Sequence, residues 1–195
     1  MRKLAKKNGI ITILLVSLLT LILSSCGSSS EGSSEEIKGA VHIGIIQYVA
    51  HPSLDSAREG FVEMLKANGY VKGQNLKLVE KNGQGDPSIT QSIAKQLSQD
   101  NFDLILAIAT PAAQAMANAE KEIPILITAV TDPVAAKLVD SLDKPNTNVS
   151  GTSDYVSISK QLDLVKSIVP DLRNLGVIYN SGEENSLVQV DEVKK

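Results

Sequence analysis

Thr110 opens the run Thr110-Pro111-Ala112-Ala113-Gln114, and a hydroxyl beside the free N–H groups of a helix start suits a carboxylate. The donors on that reading are the Thr110 hydroxyl and the backbone N–H groups of Ala112 and Ala113. The same residues also read as an ordinary helix start, with Thr110 as N-cap and Pro111 in the first helical position. Asp132, next to Pro133, either accepts a hydrogen bond from an ammonium group or caps the helix that follows. Gln47 and Tyr48 lead a polar loop after an apolar run. Asn185 and Ser186 stand where a last helix begins, as caps or as ligand contacts from a second lobe. His51, beside Pro52, reads as a turn residue.

This inventory suits binding better than catalysis. The chain has no Gly-x-Ser-x-Gly elbow and no Gly-x-x-x-x-Gly-Lys phosphate loop, and no general base stands beside a plausible nucleophile. Gly83-Gln84-Gly85 carries two glycines of a dinucleotide fingerprint without the third. One cysteine, Cys26, excludes an internal disulfide, and His42 and His51 offer no zinc ligand set, so neither a metal nor a cofactor is expected. Charge excludes another class. With 19 Lys+Arg against 22 Asp+Glu, the chain lacks the positive field that a nucleic-acid partner requires.

The elements that must position these residues follow from hydrophobic period. Aromatic residues make up 3% of the chain and Trp is absent, so the core is built from Ile, Leu, Val and Ala, as in buried parallel strands. Strands are predicted over 42–47, 76–80, 103–109, 124–130, 149–152 and 175–179. Helices are predicted between and after them, over 53–68, 89–97, 111–121, 134–142, 159–169 and 187–195. In the first, Leu54, Ala57, Phe61, Met64 and Leu65 share a stripe, with Ser53 as a candidate cap; Asp86 or Ser88 caps the second. This alternation predicts an α/β fold, a doubly wound parallel sheet covered on both faces. In such sheets ligands bind beyond the carboxyl ends of the strands, where Gln47, Tyr48, Thr110 and Asp132 all fall. The pattern is still helical at Lys195, which reads as a chain that continues.

The first forty residues read as an address. Arg2, Lys3, Lys6 and Lys7 precede an apolar stretch over 10–23, the layout of a secretory signal and too short for an ordinary membrane span. Leu23-Ser24-Ser25-Cys26 resembles the lipobox of bacterial lipoproteins, which implies a signal peptide over 1–25 and lipid attachment to Cys26. Two acyl chains, at about 0.8 kcal/mol per buried methylene, would hold the protein at a membrane surface. Residues 26–40, rich in Ser, Gly and Glu, then read as a flexible tether.

Seven segments in order resemble the substrate-binding lipoproteins of ABC importers, in the family with tryptophan- and tyrosine-binding members and the type I periplasmic-binding fold. They are Gly44-Ile45-Ile46-Gln47 with His51-Pro52; Ala57-Arg58-Glu59-Gly60-Phe61; Gly83-Gln84-Gly85-Asp86; Ala107-Ile108-Ala109-Thr110-Pro111; Ala129-Val130-Thr131-Asp132-Pro133; Gly151-Thr152-Ser153-Asp154; and Gly176-Val177-Ile178-Tyr179-Asn180 with Glu183, Asn185 and Ser186. The resemblance implies two hinged lobes, residues 41–152 forming the first and 153–195 opening the second. It implies no enzyme but a lipid-anchored, extracytoplasmic binding protein that delivers a small solute to a permease. The implied ligand is an amino acid, with Thr110, Ala112 and Ala113 on its carboxylate, Asp132 or an acid of the missing lobe on its amine, and Tyr48 stacking on an aromatic side chain. A sugar ligand, or a sensor without a transport role, stays open as the alternative.

Overall fold

A computed structural model describes residues 39–195. The expected signal peptide, Cys26 and almost all of the expected tether fall outside the described residues. The element order is β1 (Val41–Gln47), α1 (Pro52–Ala67), β2 (Leu76–Asn82), α2 (Pro87–Leu97), β3 (Leu104–Ile108), α3 (Thr110–Ala119), β4 (Ile125–Val130), β5 (Val149–Ser153), α4 (Ile158–Ile168) and α5 (Glu184–Val193). All five strands run parallel in the order β2-β1-β3-β4-β5. The doubly wound α/β sheet expected from the alternation is therefore present.

Side chains alternate across the strands because the pleat has period two. Ile43 and Ile45 of β1, with Leu106 and Ile108 of β3, meet Leu54, Phe61, Val62 and Leu65 of α1 on one face. Ile46, Ile105, Ala107, Ile125 and Ile127 meet Ala94 and Leu97 of α2 and Ala112, Ala113 and Met116 of α3 on the other. Met64, expected on the buried stripe of α1, points out and is 63% exposed. The small residues of α3 let its backbone approach the sheet closely, and the only side chains in its buried face larger than alanine are Thr110 and Met116.

Two expected elements are absent. The apolar pattern over 134–142 folds into turns instead of a helix. A single turn forms, with the Ala136 N–H on the Asp132 carbonyl at 2.9 Å and the Leu138 N–H on that of Pro133 at 2.9 Å. Lys137 then takes a left-handed conformation, φ 58°, which ends the turn. Ala136, Leu138 and Val139 are buried by this route, so the hydrophobic demand that reads as a helical stripe is met without a helix. The strand expected over 175–179 does not form either. A strand needs a neighbour for its backbone groups, and this segment has none among the described residues; Ile178 is fully exposed.

Helix starts also differ in detail. His51, expected as a turn residue, caps α1 in place of Ser53, its Nδ1 accepting the Ser53 N–H at 3.3 Å. Asp86 caps α2, its Oδ1 accepting the N–H groups of Ser88 and Ile89 at 2.7 and 3.0 Å. Near the end, α5 is tied to the loop after β5 by the Tyr155 hydroxyl, 3.2 Å from both carboxylate oxygens of Glu192.

Candidate functional site

Parallel strands deliver their carboxyl ends to one edge of the sheet, and the loops there are stitched together. The Gly83 N–H donates to the Gln47 carbonyl at 2.8 Å, and the Gly85 N–H to that of Tyr48 at 2.9 Å. The Tyr48 hydroxyl donates to the Gly85 carbonyl at 2.9 Å, and its own N–H reaches the Ile108 carbonyl at 3.2 Å. Gly83 is required by space: a Cβ there would collide with the Thr90 hydroxyl and lie 2.9 Å from the Tyr48 carbonyl. The ends of β1, β2 and β3 are thereby one unit.

Gln47 is 2% exposed. Its Nε2 donates to the Val49 carbonyl and to Asp55 Oδ1, both at 2.8 Å, while its Oε1 is buried without a partner among the described residues. Tyr48 is buried too, and its hydroxyl is held above the usual pKa, first by burial and then by the charges of Glu183 and Asp86. It stays protonated, with its hydrogen already committed to Gly85.

The β3–α3 junction turns sharply. Ala109 occupies φ 80°, ψ 152°, a region close to glycine-only, at a cost on the order of 1–3 kcal/mol. This places Thr110 as the first helical residue, not as the cap, and no side chain caps α3. The Ala113 N–H, expected free, donates to the Ala109 carbonyl at 3.0 Å. The donors left at this helix start are the Thr110 and Ala112 N–H groups, since Pro111 has none. The Thr110 hydroxyl makes no hydrogen bond to the described residues, and Thr110 is buried, 3% exposed. This corner combines a strained turn with two backbone N–H groups, of the buried residues Thr110 and Ala112, that have no hydrogen-bond partner among the described residues.

Asp132 sits at the end of β4, where its Oδ1 accepts the N–H groups of Val134 and Ala135, both at 2.9 Å. It caps the turn that replaces the expected helix. The next loop is fixed to it through the Ser153 hydroxyl, which donates to the Thr131 carbonyl at 2.7 Å. In α5 the cap position belongs to Glu183, with Asn185 and Ser186 inside the first turn. The Ser186 N–H donates to the Glu183 carbonyl at 3.1 Å, and Asn185 Oδ1 is buried without a partner among the described residues.

A cleft of about 360 Å³ opens beside this edge, lined among others by Tyr48, Pro111, Gln114, Lys137, Gly182 and Glu183. It brings together the Tyr48 ring, the first turn of α3 and the loop before α5. Gln47, Thr110, Ala112, Ala113, Asp132, Asn185 and Ser186 do not line it. Sequence reasoning does not single out Lys137, because a left-handed lysine in a non-glycine turn carries no local signal. Nor does it assign a contact to Glu183, which it names only as part of a segment that resembles the family. Among the described residues no group of His, Cys, Asp and Glu could hold a metal ion.

Comparison with known proteins agrees with this architecture. A tyrosine-binding protein of Clostridioides difficile is 52% identical over 183 residues, covering 93% of this chain and 53% of that protein. The structure of an ABC domain in complex with L-Trp from Streptococcus pneumoniae aligns with a TM-score of 0.76 at 41% identity, over 80% of this chain and 52% of that one. A ligand-free, open substrate-binding protein with adhesive properties from Clostridium difficile aligns with a TM-score of 0.66 at 55% identity, over the same shares of the two chains. The chain thus spans about half the length of these relatives. The sequence profile described as "ABC transporter substrate binding protein" matches residues 42–195. This chain belongs to the family of ABC transporter substrate-binding proteins, which are binding proteins and not enzymes.

Proposed function

We propose that the protein captures an amino acid outside the cytoplasm and delivers it to the permease of an ABC importer. The observation that carries this reading is the kinship with the tyrosine-binding protein, supported by the L-Trp complex of the streptococcal relative. Residues 41–152 are the first lobe and 153–195 begin the second, so ligand contacts are shared with chain beyond this half. The free N–H groups of Thr110 and Ala112, with the Thr110 hydroxyl, receive the ligand carboxylate. The ring of Tyr48 packs on its side chain, and Asn185 and Ser186 contribute from the second lobe.

A panel of amino acids added to the full-length protein tests this reading by thermal shift. A ligand at about 100 times its Kd stabilises the native state by about 2.7 kcal/mol, a rise of several degrees in Tm. One class of amino acid, aromatic side chains foremost, is expected to give it. A panel with no shift refutes amino-acid binding.

Anchoring is part of the same proposal, because a ligand-binding lobe has a reason to be tethered beside a membrane transporter. Among the described residues no helix is long and apolar enough to cross a membrane. The proposed anchor is lipid on Cys26, after removal of residues 1–25. Cys26→Ser is expected to move the protein to the soluble fraction or leave its signal uncleaved, as read by fractionation and mass. A variant that stays processed and membrane-bound removes Cys26 from the proposal.

A further inference from the structure

The boundary proposed between the lobes falls at the end of β5, where the chain runs through residues 154–157 into α4. The backbone of this crossover belongs to the sheet. The Asp154 N–H donates to the Val130 carbonyl at 3.2 Å. The Tyr155 N–H donates to the Ser153 hydroxyl at 3.1 Å, and that hydroxyl donates in turn to the Thr131 carbonyl at 2.7 Å. The start of the crossover is thereby fixed to the end of β4.

The Tyr155 side chain leaves in the other direction. Its hydroxyl lies 3.2 Å from both carboxylate oxygens of Glu192, in the last turn of α5, and donates to them. Among the described residues this is the one hydrogen-bonded tie between residues 39–155 and α5. Desolvation, then the Glu192 hydrogen bond and the charges of Glu192 and Asp132, push the phenol above its ordinary pKa, so it stays a donor. Neither Tyr155 nor Glu192 lines the cleft of about 360 Å³. The pair therefore spans the crossover away from that cleft. Over equal shares of the chains, this structure aligns better with the L-Trp complex than with the ligand-free, open relative, 0.76 against 0.66 in TM-score. The open relative is nevertheless the more alike in sequence, 55% against 41%. The arrangement in which Tyr155 meets Glu192 is thus nearer to that of the ligand-bound relative.

We propose that Tyr155 is a positioning residue for ligand capture: anchored to β4 through the crossover backbone, its hydroxyl latches α5 through Glu192 in the closed arrangement of the two lobes. The proposal rests on the two-lobe, amino-acid-binding reading above and adds what holds the closed state. Closure is a shift between two arrangements, and apparent affinity falls with the fraction of molecules in the binding-competent one. A bond made only in the closed arrangement raises that fraction without meeting the ligand. Its loss weakens every ligand by the same factor.

Calorimetric titration of the full-length protein with L-tyrosine and with L-tryptophan tests this. Tyr155→Phe deletes only the hydroxyl and is expected to weaken each amino acid that the wild type binds by one common factor, about 3- to 10-fold. This is below the full range for a hydrogen bond to a charged group, because the pair is partly exposed. Glu192→Ala should give the same loss, and the double variant no more than either alone, the mark of one shared interaction. Without ligand, Tyr155→Phe should melt with the wild type, since the open form does not make the bond. Unchanged affinities, with or without a lower melting temperature of the ligand-free variant, overturn the latch. Unequal losses for the two amino acids, or losses that add in the double variant, overturn it as well while amino-acid binding by the wild type stands. Wild-type protein that binds neither amino acid overturns both the latch and the reading on which it rests.

Discussion

Gly151→Ala is expected to lower the unfolding free energy by about 3 kcal/mol, the sum of backbone strain and forced overlap. Gly151 lies within β5 opposite Ile127 of β4, at φ 149°, where residues with a side chain are rarely found. A Cβ at this position would overlap the Ile127 carbonyl oxygen and sit 2.7 Å from its nitrogen. Both contacts are to backbone, so no side-chain rotation relieves them. Relief requires β5 to move away from β4, which breaks the ladder next to the register shift between Ile127 and Val130. For a domain of this size the loss corresponds to a Tm lower by about 6–12 °C, measured by circular dichroism. Gly60→Ala is the control: Gly60 lies in α1 with nothing within 4 Å of a built Cβ, and alanine there should stabilise by about 0.5–1 kcal/mol. If Gly151→Ala melts with the wild type, the close approach of the two strands is wrong.

Glu120→Ala is expected to cost about 2–3 kcal/mol, because it strips the acceptor from three backbone donors at once. Glu120 follows α3 and is 8% exposed. Its Oε1 accepts the N–H groups of Lys121, Glu122 and Ile123 at 2.7, 2.6 and 3.1 Å, and so builds the turn into β4. Burial works to raise the carboxyl pKa, but the three N–H groups together outweigh it and hold the group below its ordinary 4.5. The sign of the pH effect follows. Unfolded Glu120 titrates near 4.5 and the folded group lower, so the stabilisation is fully present above about pH 4.5 and is lost as pH falls through the folded pKa. Glu120→Gln keeps an acceptor oxygen but not the charge. The gap in urea stability between wild type and Glu120→Gln should therefore be widest at neutral pH and shrink below pH 4.5. A gap that stays constant from pH 7 to pH 3 would mean that the carboxylate charge does not matter there.

The strands and most helices were legible in the sequence for a simple reason. In β3 the unbroken run Leu104–Ile108 has both faces covered, and only a central parallel strand accepts that many adjacent aliphatic side chains. Leu54, Phe61 and Leu65 recur at helical spacing because α1 has one buried side. The failures share a cause as well. Residues 134–142 carry a helical pattern, but it is satisfied by a turn that Lys137 ends in a left-handed conformation without glycine. Residues 175–179 have strand-like composition, and composition cannot supply the neighbouring strand that a ladder needs.

The sequence by itself determined the α/β alternation, the parallel sheet, the loops that reach its carboxyl edge and the family to which the segments belong. All of these rest on local period, or on short segments in a set order. Only the tertiary structure decided which polar groups at that edge are already committed and which are free. Thr110, Asp132 and Glu183 look alike in the sequence as polar residues at helix starts. In the fold, Asp132 is bound to its own turn, the hydroxyl of the buried Thr110 has no partner among the described residues, and Glu183 lines a cleft with Tyr48 while its Oε1 accepts the Asn180 amide. A hydrogen-bond partner is allocated by whatever lies within about 3 Å in space, and the chain order does not specify that distance.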